Sequence, residues 1–131
     1  MIGLDTNLLI RIFIDDDPKQ VAAARRLVAD AAAGELLVSI IVLVEFVWTL
    51  QSHFKADKAD IVRALEGLMT GSVFVIEDRP DVESALHKYK TYDCDLADCL
   101  IAFRNHRLGA DRTVSIDRRA VRHSLFDLLA S

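Results

Sequence analysis

Met1-Ile2-Gly3-Leu4-Asp5-Thr6-Asn7 is the stretch that decides the reading of this chain. An apolar run that stops at a carboxylate and two small polar residues reads as a buried strand ending at an acid. Open parallel sheets bind their ligands at the C-terminal edges of their strands, so such a strand delivers Asp5 to a functional position. Aspartate is also a common helix N-cap, and this stretch alone does not separate the two roles. Three further acids in apolar settings recur along the chain: Glu45, Asp98 and Asp117.

Working outward, apolar periodicity and turn residues predict alternating strands and helices. A strand covers 2–4 and a short helix or turn covers 8–14. Asp15-Asp16-Asp17-Pro18 then reads as a helix start, with Asp17 as N-cap and Pro18 at the first helical position. The helix that follows, over 19–33, ends at Gly34 as C-cap. A second strand covers 36–38, and Ser39 caps a helix over about 41–54. A helix over 56–69 places Ile61, Leu65 and Leu68 on one face. Next come a strand over 73–76, a helix over 81–92, a helix over 96–108 closed by Gly109, and a strand over 113–116. The tail, with Leu125, Leu128 and Leu129, adds a last strand or a docked helix. This order predicts an α/β fold: a single domain over 1–131 with a parallel β-sheet flanked by helices on both faces (α/β/α).

At 131 residues, 52% hydrophobic and 27% charged, the chain is long enough to bury a proper core. A formal net charge of −4 argues against a simple basic nucleic-acid-binding module, but not against an enzyme whose acids hold metal. Cys94 and Cys99 lie five apart without a CxxC pattern, and read as reduced structural thiols in a cytosolic protein. The N-terminus has no basic segment leading into a long apolar run, so no signal peptide is expected. The long uncharged stretch over 36–54 is broken by Glu45, which excludes a membrane span. A cytoplasmic protein is expected.

Glu45 is the most anomalous of the acids, because it is the sole formal charge between Glu35 and Lys55. Burying an unpaired carboxylate costs several kcal/mol. The expectation is therefore either a salt bridge to a distant arginine or a helix acid facing a cation. Asp98 follows Asp95 near a helix start, where a cap and the helix dipole favour acids in any case. Asp117 repeats the strand-then-acid arrangement of Asp5, with a cap for a helix beginning at Arg118-Arg119 as the structural alternative. As a set, the four acids can converge on one end of a parallel sheet. At about 4–6 Å such carboxylates repel by roughly several kcal/mol per close pair, so the cluster calls for hard divalent cations. Magnesium or manganese suits an all-oxygen site and works on phosphate substrates. The reaction class then narrows to attack of a metal-activated water on a phosphodiester.

Four ordered pieces carry a family resemblance: Leu4-Asp5-Thr6-Asn7, Ser39 through Glu45-Phe46, Ala97-Asp98-Cys99-Leu100-Ile101-Ala102, and Val114-Ser115-Ile116-Asp117-Arg118-Arg119-Ala120. The chain resembles PIN-domain ribonucleases and, among them, the VapC-like toxins of toxin–antitoxin pairs. The resemblance implies Asp5, Glu45, Asp98 and Asp117 as metal-binding acids. It implies Thr6, Asn7 and Ser115 as supporting polar residues, with Asp95 behind them. It also implies a magnesium- or manganese-dependent endoribonuclease, inhibited by a small antitoxin protein and assembled as a homodimer. One departure is visible. The family commonly has Thr two residues before the last acid, often with Phe between, where this chain has Ser115 and Ile116. Serine keeps the hydroxyl, while the packing beneath Asp117 is expected to differ.

Arg104, Arg107, Arg112, Arg118, Arg119 and Arg122 concentrate positive charge in the last third. They read either as a solvated face or as phosphate-positioning groups. The segment Lys55-Ala56-Asp57-Lys58 is another candidate for RNA contact. Phe46, Val47, Trp48 and Leu50 read mostly as core, with part available to a dimer or antitoxin surface. Three competing readings stand beside the toxin ribonuclease. A PIN-like nuclease for RNA processing or DNA flaps is disfavoured by the short chain. A receiver-like domain lacks the late lysine that it needs, since no Lys follows Lys90. A non-catalytic PIN scaffold is disfavoured by the presence of all four acids.

Overall fold

A computed structural model of the chain describes residues 1–118 and 125–129. Two compact units divide the chain, Met1–Glu77 and Asp78–Ser131. The first contains β1 (Ile2–Gly3), α1 (Thr6–Phe13), α2 (Pro18–Asp30), β2 (Leu36–Val38), α3 (Ile40–Ser52), α4 (Lys58–Thr70) and β3 (Phe74–Ile76). Its strands form a parallel sheet in the order β1-β2-β3. Ile2 is opposite Leu36, and Leu36 is opposite Phe74. The ladder runs on past the strand ends, where Leu4 N–H donates to Leu37 O at 2.9 Å and Glu77 N–H to Val38 O at 3.0 Å. All three strands point the same way, so Asp5, Ser39 and Glu77 leave the sheet at its C-terminal edge.

The helices of this unit begin where local side-chain chemistry directs. Asp17 accepts a hydrogen bond from Gln20 N–H, with Pro18 at the first helical position of α2, as the sequence predicts. Ser39 accepts from Val42 N–H to start α3, and Asp57 accepts from Asp60 N–H to start α4. The end of α2 differs from expectation. The helix stops at Asp30, and Gly34 lies in the following turn with φ +72°, a left-handed setting that glycine adopts without a Cβ clash. Glu35 Oε2 closes this turn by accepting from Ala32 N–H at 2.6 Å. Leu43, Phe46, Val47 and Leu50 are buried on α3, and the Phe46 ring meets Phe13 of α1 at 5.5 Å between centroids. Emptying a fully buried phenylalanine site costs about 3–5 kcal/mol, which ranks Phe46 among the anchors of this core. Lys55, with φ +54°, turns the chain between α3 and α4.

The second unit contains α5 (Arg79–Thr91), α6 (Leu96–Arg107), β4 (Val114–Ser115) and β5 (Asp127–Leu128). The two helices lie against each other, with Val82, Ala85, Leu86 and Tyr89 buried on α5 and Leu96, Cys99 and Leu100 buried on α6. The tail resolves as a strand, β5, parallel to β4. Asp127 N–H donates to Thr113 O and Leu129 N–H to Ser115 O, each at 2.8 Å. The fold is therefore α/β with parallel strands, as expected. Among the described residues those strands fall into a three-stranded and a two-stranded ladder rather than one. Strand and helix alternation does not encode that division. No helix among the described residues is long and apolar enough to cross a membrane.

Candidate active site

Asp5 sits just past β1 in an extended conformation, and its Oδ1 accepts from Leu8 N–H at 2.8 Å. It thus caps α1, placing its negative charge on the helix N-terminus where the dipole favours it. Its Oδ2 has no hydrogen bond among the described residues. The next residue joins it to the second acid, because Thr6 Oγ1 donates to Glu45 Oε1 at 2.8 Å. Glu45 departs from the sequence expectation. It is exposed rather than buried, and it has no ion pair among the described residues. The apolar neighbours that make it look buried in sequence point elsewhere. Ile41, Glu45 and Trp48 share one outward face of α3, with Ile41 71% and Trp48 66% exposed, while Phe46, Val47 and Leu50 fill the core. Glu45 Oε2 is also without a hydrogen bond among the described residues. Asn7 is exposed and makes no side-chain hydrogen bond among the described residues.

Glu77 was not singled out by sequence reasoning. Its Oε1 accepts from Ile40 N–H at 2.7 Å, so it satisfies the first amide of α3 alongside the Ser39 cap. The signal was available, because a strand followed directly by an acid is the arrangement that marks Asp5 and Asp117.

In the second unit, Asp95 caps α6 through Ala97 N–H at 2.8 Å, and Asp98 is half-buried in the first helical turn. Cys94 and Cys99 flank these acids as free thiols, with 3.1 Å between their Sγ atoms. Burial pushes the Cys99 thiol far above the usual range, and the Cys94 thiol and the carboxylates of Asp98 and Asp95 push it further. Ser115 Oγ accepts from Asp117 N–H at 2.9 Å, so the hydroxyl holds the backbone that carries the last acid. Asp117 is exposed. Ile116, which stands between Ser115 and Asp117, is 81% exposed. The predicted helix beginning at Arg118-Arg119, with Asp117 as its cap, lies outside the described residues, as do Arg119 and Arg122.

Several arginines of the last third are engaged with acids. Arg107 Nε donates to Asp81 Oδ2 at 2.6 Å, and Asp81 is only 5% exposed. This bond, with the nearby charges of Asp81 and Asp78, raises the guanidinium pKa further despite the cost of desolvation. Asp78 has φ +52° and makes no cap hydrogen bond; its carboxylate instead stands 3.3 Å from Arg104 Nε and 3.4 Å from Arg107 Nη2. Arg112 pairs loosely with Asp127 at 3.6 Å, both well exposed. Arg104 and Arg107 are thus bound into the structure of their own unit, and Arg118 is exposed.

Among the described residues, neither unit gathers three or more His, Cys, Asp or Glu side chains into a group that could hold a metal ion. The chemistry of the donors is nonetheless that of a hard cation site. Asp5 and Glu45 offer carboxylate oxygens only, and each keeps one that no described residue engages.

The chain is similar to the VapC ribonuclease of Aquifex aeolicus (strain VF5), with 26% identity over 117 residues, covering 88% of this chain and 87% of that protein. The family model for the PIN domain matches residues 2–123. That match takes in the first unit from residue 2, the second as far as residue 123, and all four motif-bearing segments, and the chain belongs to the PIN domain family.

Proposed function

We propose that this PIN domain, acting over residues 1–131, is a metal-dependent endoribonuclease and the toxin of a toxin–antitoxin pair. Asp5, Glu45, Asp98 and Asp117 are its proposed functional carboxylates, and magnesium or manganese is its proposed cation. The observation that carries this reading is the arrangement around Thr6. One hydroxyl fixes Glu45 beside the residue that caps α1, and each of the two acids keeps an oxygen for a cation. Similarity to a VapC ribonuclease supports RNA as substrate, and the resemblance to VapC-like toxins implies a small antitoxin protein as partner.

When bound, such a cation supplies an activated water and neutralises charge at the phosphodiester. This chain's own residues do the holding. Asp5 is fixed by the Leu8 amide, Glu45 by the Thr6 hydroxyl and the backbone of Asp117 by Ser115, while Asp95 anchors the start of the helix that carries Asp98. Groups fixed in this way do not have to reorganise during reaction. Ile41 and Trp48, which flank Glu45 on the open face of α3, offer apolar area for the antitoxin or for a second copy in a homodimer.

The test combines calorimetric titration with manganese and cleavage of single-stranded RNA, structured RNA and flap DNA. Expected are manganese binding that weakens in Glu45→Gln, and RNA cleavage that stops with chelator. Flap DNA cleaved in preference to both RNAs would replace the toxin reading with that of a flap nuclease. Absence of both cation binding and cleavage would replace it with that of a non-catalytic scaffold.

A further inference from the structure

Cys94 and Cys99 occupy the residue before the N-cap of α6 and the fourth residue of that helix. In many helices this pair of positions holds two apolar side chains that pack together and fix the entry angle of the chain. Here the pair is two thiols, with Sγ atoms 3.1 Å apart, roughly 1 Å beyond the disulfide bond length of about 2.05 Å. The two differ in access. Cys99 is fully buried in the wall of α6, whereas Cys94 is half-exposed on the loop that follows α5, its Sγ near the carbonyls of Tyr92 and Lys88. Between them run the cap residue Asp95 and the acid Asp98.

We propose that Cys94 and Cys99 are a reversible thiol–disulfide pair that responds to peroxide, and that its closure switches off the nuclease. The second half rests on the function proposed above. The chemistry balances with hydrogen peroxide as the two-electron oxidant. The accessible Cys94 sulfur attacks a peroxide oxygen, the O–O bond breaks, and Cys94 becomes a sulfenic acid as one water leaves. The Cys99 sulfur then attacks the Cys94 sulfur; the S–O bond breaks, and hydroxide departs with the Cys99 proton as a second water. Two thiols are oxidised to one disulfide, and one peroxide is reduced to two waters. A dithiol reductant reverses the change by thiol–disulfide exchange.

Closure moves the segment that matters. Cys99 is held by the packed helix, so the approach of the two sulfurs falls on Cys94 and on the turn through Asp95. That turn carries the Asp95–Ala97 cap and leads directly to Asp98. Displacing a functional group by about 1 Å is enough to lower a rate by about 100-fold.

The experiment treats the full-length protein with hydrogen peroxide, alkylates the remaining thiols, and reads the tryptic peptide over 91–104, which contains both cysteines. Expected is that peptide lacking two hydrogens and resistant to alkylation, with both properties reversed by dithiothreitol. In parallel, RNA cleavage should fall by at least about tenfold and recover on reduction, while Cys94→Ser keeps its rate under the same dose. Two alkylated thiols after peroxide, or irreversible oxidation of Cys94 with Cys99 still alkylated, overturns the pair. A closed disulfide with undiminished cleavage overturns the switch. If the reduced protein cleaves no RNA, the proposed function fails separately, and the peptide mass still decides the thiol pair.

Discussion

Two acids of Met1–Glu77, Asp5 and Glu45, and two at the start of Asp78–Ser131, Asp78 and Asp81, are held by different donors. Asp5 is held by a backbone amide and Glu45 by a hydroxyl, both at exposed positions, and each keeps an oxygen without a described partner. Asp78 and Asp81 face guanidinium groups of Arg104 and Arg107, and Asp81 is buried. A neutral donor orients a carboxylate and leaves its charge to attract a cation. A guanidinium cancels that charge and ties the carboxylate into the structure. Acids of the first kind suit chemistry, and acids of the second kind suit packing between helices. A run of arginines in sequence is therefore not in itself a phosphate-binding surface.

Substitutions on the two sides of this contrast should separate activity from stability. Asp5→Asn keeps an N-cap, since asparagine caps as well as aspartate, but it removes the charge. Its RNA cleavage should fall by at least about 10²–10³-fold with an unchanged thermal midpoint, as single-turnover kinetics and thermal melts would show. Thr6→Val removes the hydroxyl that fixes Glu45 and should lower the cleavage rate by about 10–100-fold, again with little change in melting. Asp81→Ala should do the opposite. It leaves Arg107 without its closest acid and lowers the thermal midpoint, while protein that remains folded cleaves at the wild-type rate. The smallest effect belongs to Arg112→Met. Its exposed pair with Asp127 should change stability by no more than about 0.5 kcal/mol in urea unfolding. A large loss of cleavage in Asp81→Ala without loss of stability would break the contrast.

The parts of this molecule that were legible in sequence are those fixed by neighbours along the chain. Asp17, Ser39 and Asp95 cap the predicted helices because a short polar side chain reaches an amide two or three residues on. The first three strands and the helices of both units also fall close to their expected places, for the same local reasons. What sequence did not convey depends on distance. The Thr6–Glu45 bond spans 39 residues, the Arg107–Asp81 bond 26, and the Ile40–Glu77 bond 37. Glu45 was expected to be buried because α3 is apolar nearly all round, which hides the one face left open to solvent. The cysteines show the same limit. A spacing of five reads as two reduced structural thiols and does not convey that the helix start brings them to 3.1 Å.

The proposed site requires Asp5 to act through its charge on a cation rather than as a helix cap. Single-turnover cleavage of one RNA across a magnesium titration, wild type beside Asp5→Asn, tests it most directly. Cleavage by wild type should rise from zero with magnesium, and cleavage by Asp5→Asn should remain near zero throughout. Equal rates for the two proteins, or wild-type cleavage undiminished in chelator, would contradict it.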